Sequence, residues 1–335
     1  IYPVVGSNCT IGKEVTWIAP GLFCDDNLLT SITIDADLDY IGCGTFYQSG
    51  IQTVTINGVI KEIHGYTDVY TKYPMLNDRE QYNMMPYGAF EATRSLTTLT
   101  FKDGLTYIGG GVMHGGSLTS ITLPDSLEQV AIDAFYCFGE PLHQTIKVVG
   151  NNANAKYYTI DDSAFLQKGT DGDTLLYFAP ASKVKEFVIP QNVKDINYYA
   201  FEGNANLESV TVPEGITSLK YGVFSNCQAL KTVSLPSTLT EFQVGSSPFS
   251  DEDGASVWSR VQIMGESSVF ASCLALANVV YPNGNNVTKI PAYTFSGTAL
   301  TSFTITAKLT EFTNESVFSE KLTEWIVEEG CTLDY

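Results

Sequence analysis

The chain has little of what catalytic sites and membrane spans are usually built from. It has three histidines in 335 residues, His64, His114 and His143. They fall in different segments, so no His-Glu-x-x-His helix or His/Cys pair can be written. No Gly-x-Ser-x-Gly elbow, phosphate-cradling Gly-rich loop or dinucleotide fingerprint occurs; Gly109-Gly-Gly111 and Gly115-Gly116 read as turn glycines. The seven cysteines include no Cys-x-x-Cys pair, which argues against zinc, and no cofactor is expected. No run approaches the roughly eighteen apolar residues of a spanning helix. The chain opens at Ile1 without a signal-peptide pattern, which reads as a processed or shortened chain.

Positive charge is also scarce. Eighteen Lys and Arg face 37 Asp and Glu, for a net charge of −19 and a pI near 4.4. That balance excludes nucleic acid and an anionic membrane as natural partners and keeps an extended surface soluble. In a chain this acidic, pairs such as Asp35 and Asp37 arise by accident, so a glycosidase reading has nothing specific behind it.

What is present is repetition. Leu207-Glu-Ser-Val-Thr-Val-Pro213 returns as Leu230-Lys-Thr-Val-Ser-Leu-Pro236, and regular copies begin 22 to 24 residues apart, as from Leu96 to Leu118 or from Leu276 to Leu300. An aromatic phrase keeps step through Phe46, Phe90, Met113 in place of Phe, Phe135, Phe165, Phe201, Phe224, Phe249, Phe270, Phe295 and Phe318. A fixed period in this range marks a solenoid. Positions 1, 4 and 6 of the first phrase are apolar and positions 2, 3 and 5 mostly Thr, Ser or charged, which suits a strand with one buried face. The Pro that follows (Pro124, Pro190, Pro213, Pro236, Pro282) lacks an N–H and ends the pairing. No coil could bury its apolar face alone; stacking creates the core.

Leu118-Thr-Ser-Ile-Thr-Leu-Pro124, Ile132-Asp-Ala-Phe135, Ile196-Asn-Tyr-Tyr-Ala-Phe201 and Ile290-Pro-Ala-Tyr-Thr-Phe295 resemble the recurring unit of the BspA-like branch of bacterial leucine-rich-repeat proteins. The resemblance covers residues 15–330. It implies a right-handed, β-rich α/β horseshoe solenoid, here with about 11 repeats of 22–24 residues and three insertions. It also implies export to the cell surface, with anchoring through a segment outside this sequence, and adhesion to extracellular proteins.

Along the chain, residues 1–20 read as an N-terminal cap or the tail of another domain, 21–330 as one solenoid and 331–335 as a tail. Cys227 and Cys273 each follow a repeat aromatic by three positions, so repeat phase buries them. Cys9 and Cys24 lie outside the phase and form either a disulfide or two free thiols. The first insertion, 63–90, is rich in Tyr and Met; the second, 144–181, holds Thr170-Asp-Gly-Asp173 as a hairpin turn rather than a calcium loop; the third, 243–269, holds Trp258. Aromatic enrichment is typical of interface cores. The plainer alternative is that these aromatics fold back onto the coils. Strand positions 2, 3 and 5 form a hydroxyl ladder with few anchors of hot-spot type, which favours the insertions as the contact site. The candidate ligand residues are Tyr66, Tyr70, Tyr73, Tyr82, Tyr87 and Trp258.

The expectation is a non-enzymatic, monomeric surface protein that binds an extracellular protein or a glycan. The alternatives are a spacer that presents another domain and, with less behind it, a carbohydrate-active enzyme.

Overall fold

A computed structural model describes residues 6–66, 68–73, 87–136, 143–243, 268–312 and 320–331. The chain forms two compact units, Ile1–Phe165 and Leu166–Tyr335. Each is a β-solenoid in which one coil contributes a front strand, a turn, a short return strand and a corner.

In the first unit, front strands Asn8–Ile11, Ser31–Ile34 and Thr53–Ile56 pair in parallel and in register, as do Thr98–Thr100, Ser120–Pro124 and Thr145–Val149. On the return side Trp17–Ile18, Leu38–Ile41, Ile60–Ile63, Tyr107–Ile108 and Gln129–Val130 make one five-stranded parallel sheet. In the second unit Glu186–Val188, Ser209–Thr211, Thr232–Ser234 and Asn278–Val280 form the front ladder, and Ser302–Ile305 pairs with Glu324–Val327. Thr232–Ser234 pairs directly with Asn278–Val280; most of the third insertion lies outside the described residues.

Before the first sequence repeat, Asn8–Ile11 and Trp17–Ile18 already supply a front and a return strand. The return side is built of short strands, and among the described residues the only helix is Asp68–Lys72. A return phrase spans two to four residues before the corner begins in most coils, too few to repay helix nucleation. The neighbouring coil satisfies those backbone groups instead.

Position 4 of the front phrase is buried in most coils, as at Ile32 and Val210, and so is the last residue of return strands such as those ending at Ile41 and Leu219. Between them runs the aromatic column. Phe23, Phe46 and Phe90 stack at 5.5 and 5.1 Å between ring centroids, with planes within 18°. Phe201, Phe224, Phe270 and Phe295 stack at 5.0, 5.5 and 5.4 Å. Two residues after the aromatic the backbone turns left-handed. Gly115, Gly203 and Gly297 serve there with φ of 63–71°, and Asp25, Gln48, Ala92, Asn226 and Ser272 take φ of 52–61° at the same place. The non-glycine residues accept a Cβ clash there to keep the corner's inter-coil bonds, such as Gln48 N to Glu91 O and Ala92 N to His114 O.

One position further on lies a buried polar slot. Asn204 Nδ2 donates to Ala179 O at 3.2 Å; Cys227 Sγ donates to Phe201 O and Cys273 Sγ to Phe224 O, both at 2.9 Å. The two thiols are buried as repeat phase predicts, and each also satisfies a carbonyl of the preceding coil. Cys9 and Cys24 are free thiols, so the disulfide alternative is not realised. Position 2 of the front phrase acts similarly: the hydroxyls of Thr30 and Thr119 donate to Ser7 O and Thr97 O at 2.8 and 3.1 Å. Part of the hydroxyl ladder therefore joins coil to coil. In the second insertion Asp173 accepts Gly169 N at 3.2 Å and Asn192 Nδ2 at 2.7 Å, as a turn residue does.

Candidate ligand-binding site

The return sheet of the first unit places Trp17, Tyr40, Glu62, Tyr107 and Gln129 in one row across the coils, in direct register. Each is followed by a buried residue (Ile18, Ile41, Ile63, Ile108, Val130). In an extended strand the preceding side chain therefore points outward. Trp17 is 49 % exposed. Its ring stacks on Tyr40 at 5.8 Å and 20°. Tyr40 in turn stacks on His64 at 4.7 Å and 13°. Tyr73 closes the group edge-on, 5.9 Å from Tyr40 and 5.5 Å from His64.

The first insertion brings Tyr73 there. The chain leaves the return strand at Ile63 and passes through Gly65, where a Cβ would come within 2.0 Å of Gly110 O in the next coil. Only glycine permits that approach. Asp68 then accepts the N–H of Gly65 at 2.7 Å with one carboxylate oxygen and the Tyr107 hydroxyl at 2.8 Å with the other. This fixes the helix Asp68–Lys72 against the return sheet. Lys72, in its last turn, contacts the Glu62 carboxylate, lies 3.3 Å from His64 Nε2 and sits 4.1 Å over the Tyr107 ring.

His64 is 2 % exposed. Its Nε2 lies 2.9 Å from Glu62 Oε2, and Nδ1 meets the Tyr73 hydroxyl. Burial lowers its pKa, with Glu62 opposing and Lys72 assisting. The neutral ring then donates from Nε2 to Glu62 and accepts from Tyr73 at Nδ1. Burial alone would raise the Glu62 pKa, but the hydrogen bonds from Lys72 and His64 outweigh it and hold the carboxyl below its usual range. Burial also pushes Tyr73 and Tyr107 upward, helped by Tyr40 for the first and by Asp68 for the second. A His–Glu pair has the form of an acid–base device. Here both ring nitrogens of His64 are engaged inside the protein, while the Glu62 carboxylate remains partly exposed. Among the described residues no three His, Cys, Asp or Glu side chains converge as metal ligands would.

Of the residues singled out in the sequence, Tyr73 belongs to this cluster. Tyr66 is buried, and its hydroxyl donates to Asp133, whose pKa burial raises. Its ring supports the coil rather than a surface. Tyr87 lies flat on Tyr47 with centroids 3.4 Å apart. Tyr70 lies in the helix, its side chain outside the described residues, as are Tyr82 and Trp258 altogether. Trp17, Tyr40, Glu62, His64, Lys72 and Tyr107 escaped the sequence reading. Their signal was phase: Trp17-Ile18, Tyr40-Ile41 and Tyr107-Ile108 repeat one dipeptide pattern.

The family model described as "BspA type Leucine rich repeat region (6 copies)" matches residues 6–73, 83–169, 176–254 and 255–333. Three crystal structures are similar in fold. A leucine rich cell surface protein from Faecalibacterium prausnitzii is 21 % identical with a TM-score of 0.53, covering 98 % of this chain and 91 % of that one. A leucine-rich repeat protein from Eubacterium ventriosum is 21 % identical with a TM-score of 0.54, covering 95 % and 83 %. The pneumococcal vaccine antigen PcpA is 17 % identical with a TM-score of 0.55, covering 97 % and 85 %. No curated protein matches the chain significantly. Among the described residues no helix is long and apolar enough to cross a membrane.

Proposed function

We propose that this chain, which belongs to the BspA-type leucine-rich-repeat family, is a non-enzymatic binding protein on the outside of a bacterial cell, and that it adheres to an extracellular protein or glycan. The observation that carries the reading is the outward row on the first unit's return face, where Trp17, Tyr40 and Tyr73 surround a charged centre of Glu62 and Lys72. Aromatic rings on a rigid sheet supply contact area at low entropic cost, and charged groups beside them set orientation. The surface location draws on relatives in fold that include a leucine rich cell surface protein and a vaccine antigen. Against catalysis stands the closed hydrogen bonding of His64.

The test is binding of the purified chain to arrays of extracellular-matrix proteins and surface glycans, beside the double variant Trp17→Ala, Tyr40→Ala. A ligand bound by the parent and lost in the variant, with thermal melting intact, supports the assignment. A ligand bound equally by both moves the contact elsewhere, with Tyr87 and Trp258 next to be replaced. No ligand at high micromolar concentration favours a spacer that presents another domain.

A further inference from the structure

The centre of the return-face cluster already holds a cation. Lys72 Nζ contacts the Glu62 carboxylate, lies 3.3 Å from His64 Nε2 and sits 4.1 Å from the centroid of Tyr107. The face of Tyr107 is prepared for this. Its hydroxyl donates to Asp68 at 2.8 Å, which draws electron density onto the ring and strengthens its attraction for an ammonium. Glu62 also receives Nε2–H of His64 at 2.9 Å, so the carboxylate is aimed before any cation arrives.

The residue that fills this place is weakly held by its own element. Lys72 ends a helix of five residues, and its side chain is 32 % exposed. A helix that short has little stability of its own and depends on docking. An ammonium supplied from outside would meet the same carboxylate and the same ring.

We propose that the site formed by Glu62, Tyr107 and His64 is a receptor for a lysine side chain of a protein partner, and that Lys72 occupies it in cis until the partner displaces it. This rests on the binding-protein reading and narrows its partner to a protein with exposed lysines rather than a glycan. The compact ammonium selects lysine over arginine, whose planar fork needs two acceptors side by side. A chain of net charge −19 would also steer a basic partner toward it. Because Lys72 competes for the site, the apparent affinity for an external lysine is reduced by the fraction of time the site is open.

The experiment uses the whole chain, a fluorescent Gly-Lys-Gly-Lys-Gly peptide and the same peptide with acetylated lysines, titrated by anisotropy at low salt. Lys72→Ala is expected to bind the lysine peptide about tenfold more tightly than the parent, and the acetylated peptide not at all. Adding Glu62→Gln should remove the gain. Lys72→Met, which keeps the apolar stem of the side chain, repeats the test if the alanine variant loses its thermal transition. No gain in either variant overturns the proposal, as does a gain equal for the acetylated peptide or one that survives Glu62→Gln. A matrix protein captured on the array by a chain that shows no lysine-peptide binding would refute the cation receptor and leave the adhesion reading standing. A lysine peptide bound by Lys72→Ala while the arrays stay blank would do the reverse.

Discussion

Two columns run across the coils of the first unit with nearly the same geometry. Inside, Phe23, Phe46 and Phe90 stack at 5.5 and 5.1 Å. Outside, on the return face, Trp17 and Tyr40 stack at 5.8 Å before the row passes to Glu62 and Tyr107. The spacing is the same because the backbone ladder sets it; the side chains differ because only one column must be dry. Every interior place must be filled by a large apolar group, so aromatics recur there and Met113 is the one variation before Phe135. The outer row carries no such requirement, and an indole, a phenol, a carboxylate, a second phenol and an amide follow one another. Where packing makes no demand, residue choice is free to serve a ligand.

The sharpest way to break the comparison is to remove one ring from each column. Phe46→Ala deletes a fully buried ring with neighbours on both sides and should cost about 3–5 kcal/mol in denaturant unfolding. Tyr40→Ala should cost about 1 kcal/mol, since it loses ring contacts without opening a cavity. Similar losses for both would mean that the outer row is a second core.

A pH titration separates inside from outside by charge. His143 is fully buried, and burial lowers its pKa to about 4. A depressed histidine binds its proton in the unfolded chain first. Stability is therefore complete above the unfolded pKa near 6.5 and falls as pH drops toward 4, by about 3 kcal/mol. Urea midpoints measured from pH 7.5 to 4 should show this slope, and His143→Leu should flatten it. An unchanged slope in the variant would assign the acid sensitivity to other groups, with buried His64 and its partner Glu62 first among them.

The smallest effect tests the corner that joins the columns. Ala92 has φ of 56° where other coils use glycine. Ala92→Gly relieves the Cβ clash but adds unfolded-chain entropy, so a gain of about 0.5 kcal/mol in thermal unfolding is expected. A loss would show that Ala92 packs more than it strains.

The repeat was legible residue by residue. The phrase Leu118–Pro124 holds the strand Ser120–Pro124, and Leu207–Pro213 and Leu230–Pro236 hold the strands Ser209–Thr211 and Thr232–Ser234. Cys227 and Cys273 could be buried from phase alone, because each follows a stacked phenylalanine by three positions. The cluster was less legible. Tyr66 and Tyr73 lie close together in one Tyr-rich insertion, yet one is buried under Asp133 and the other joins the surface group. Composition marks an aromatic segment but does not say which ring turns inward. That depends on Gly65 and Gly110 letting the insertion close on the next coil.

The sequence by itself determined the coil: its period, its apolar positions, its prolines and its buried aromatic. Each of those is a local demand that recurs every 22 to 24 residues, and a recurring demand is visible in one dimension. Only the tertiary structure decided what faces what between coils. Trp17 meets Tyr40, Glu62 meets Tyr107, and Lys72 reaches both through a segment outside the repeat. Those meetings follow from ladder register and from the docking of an insertion against its neighbour. Both are set by long-range packing, which no single repeat contains.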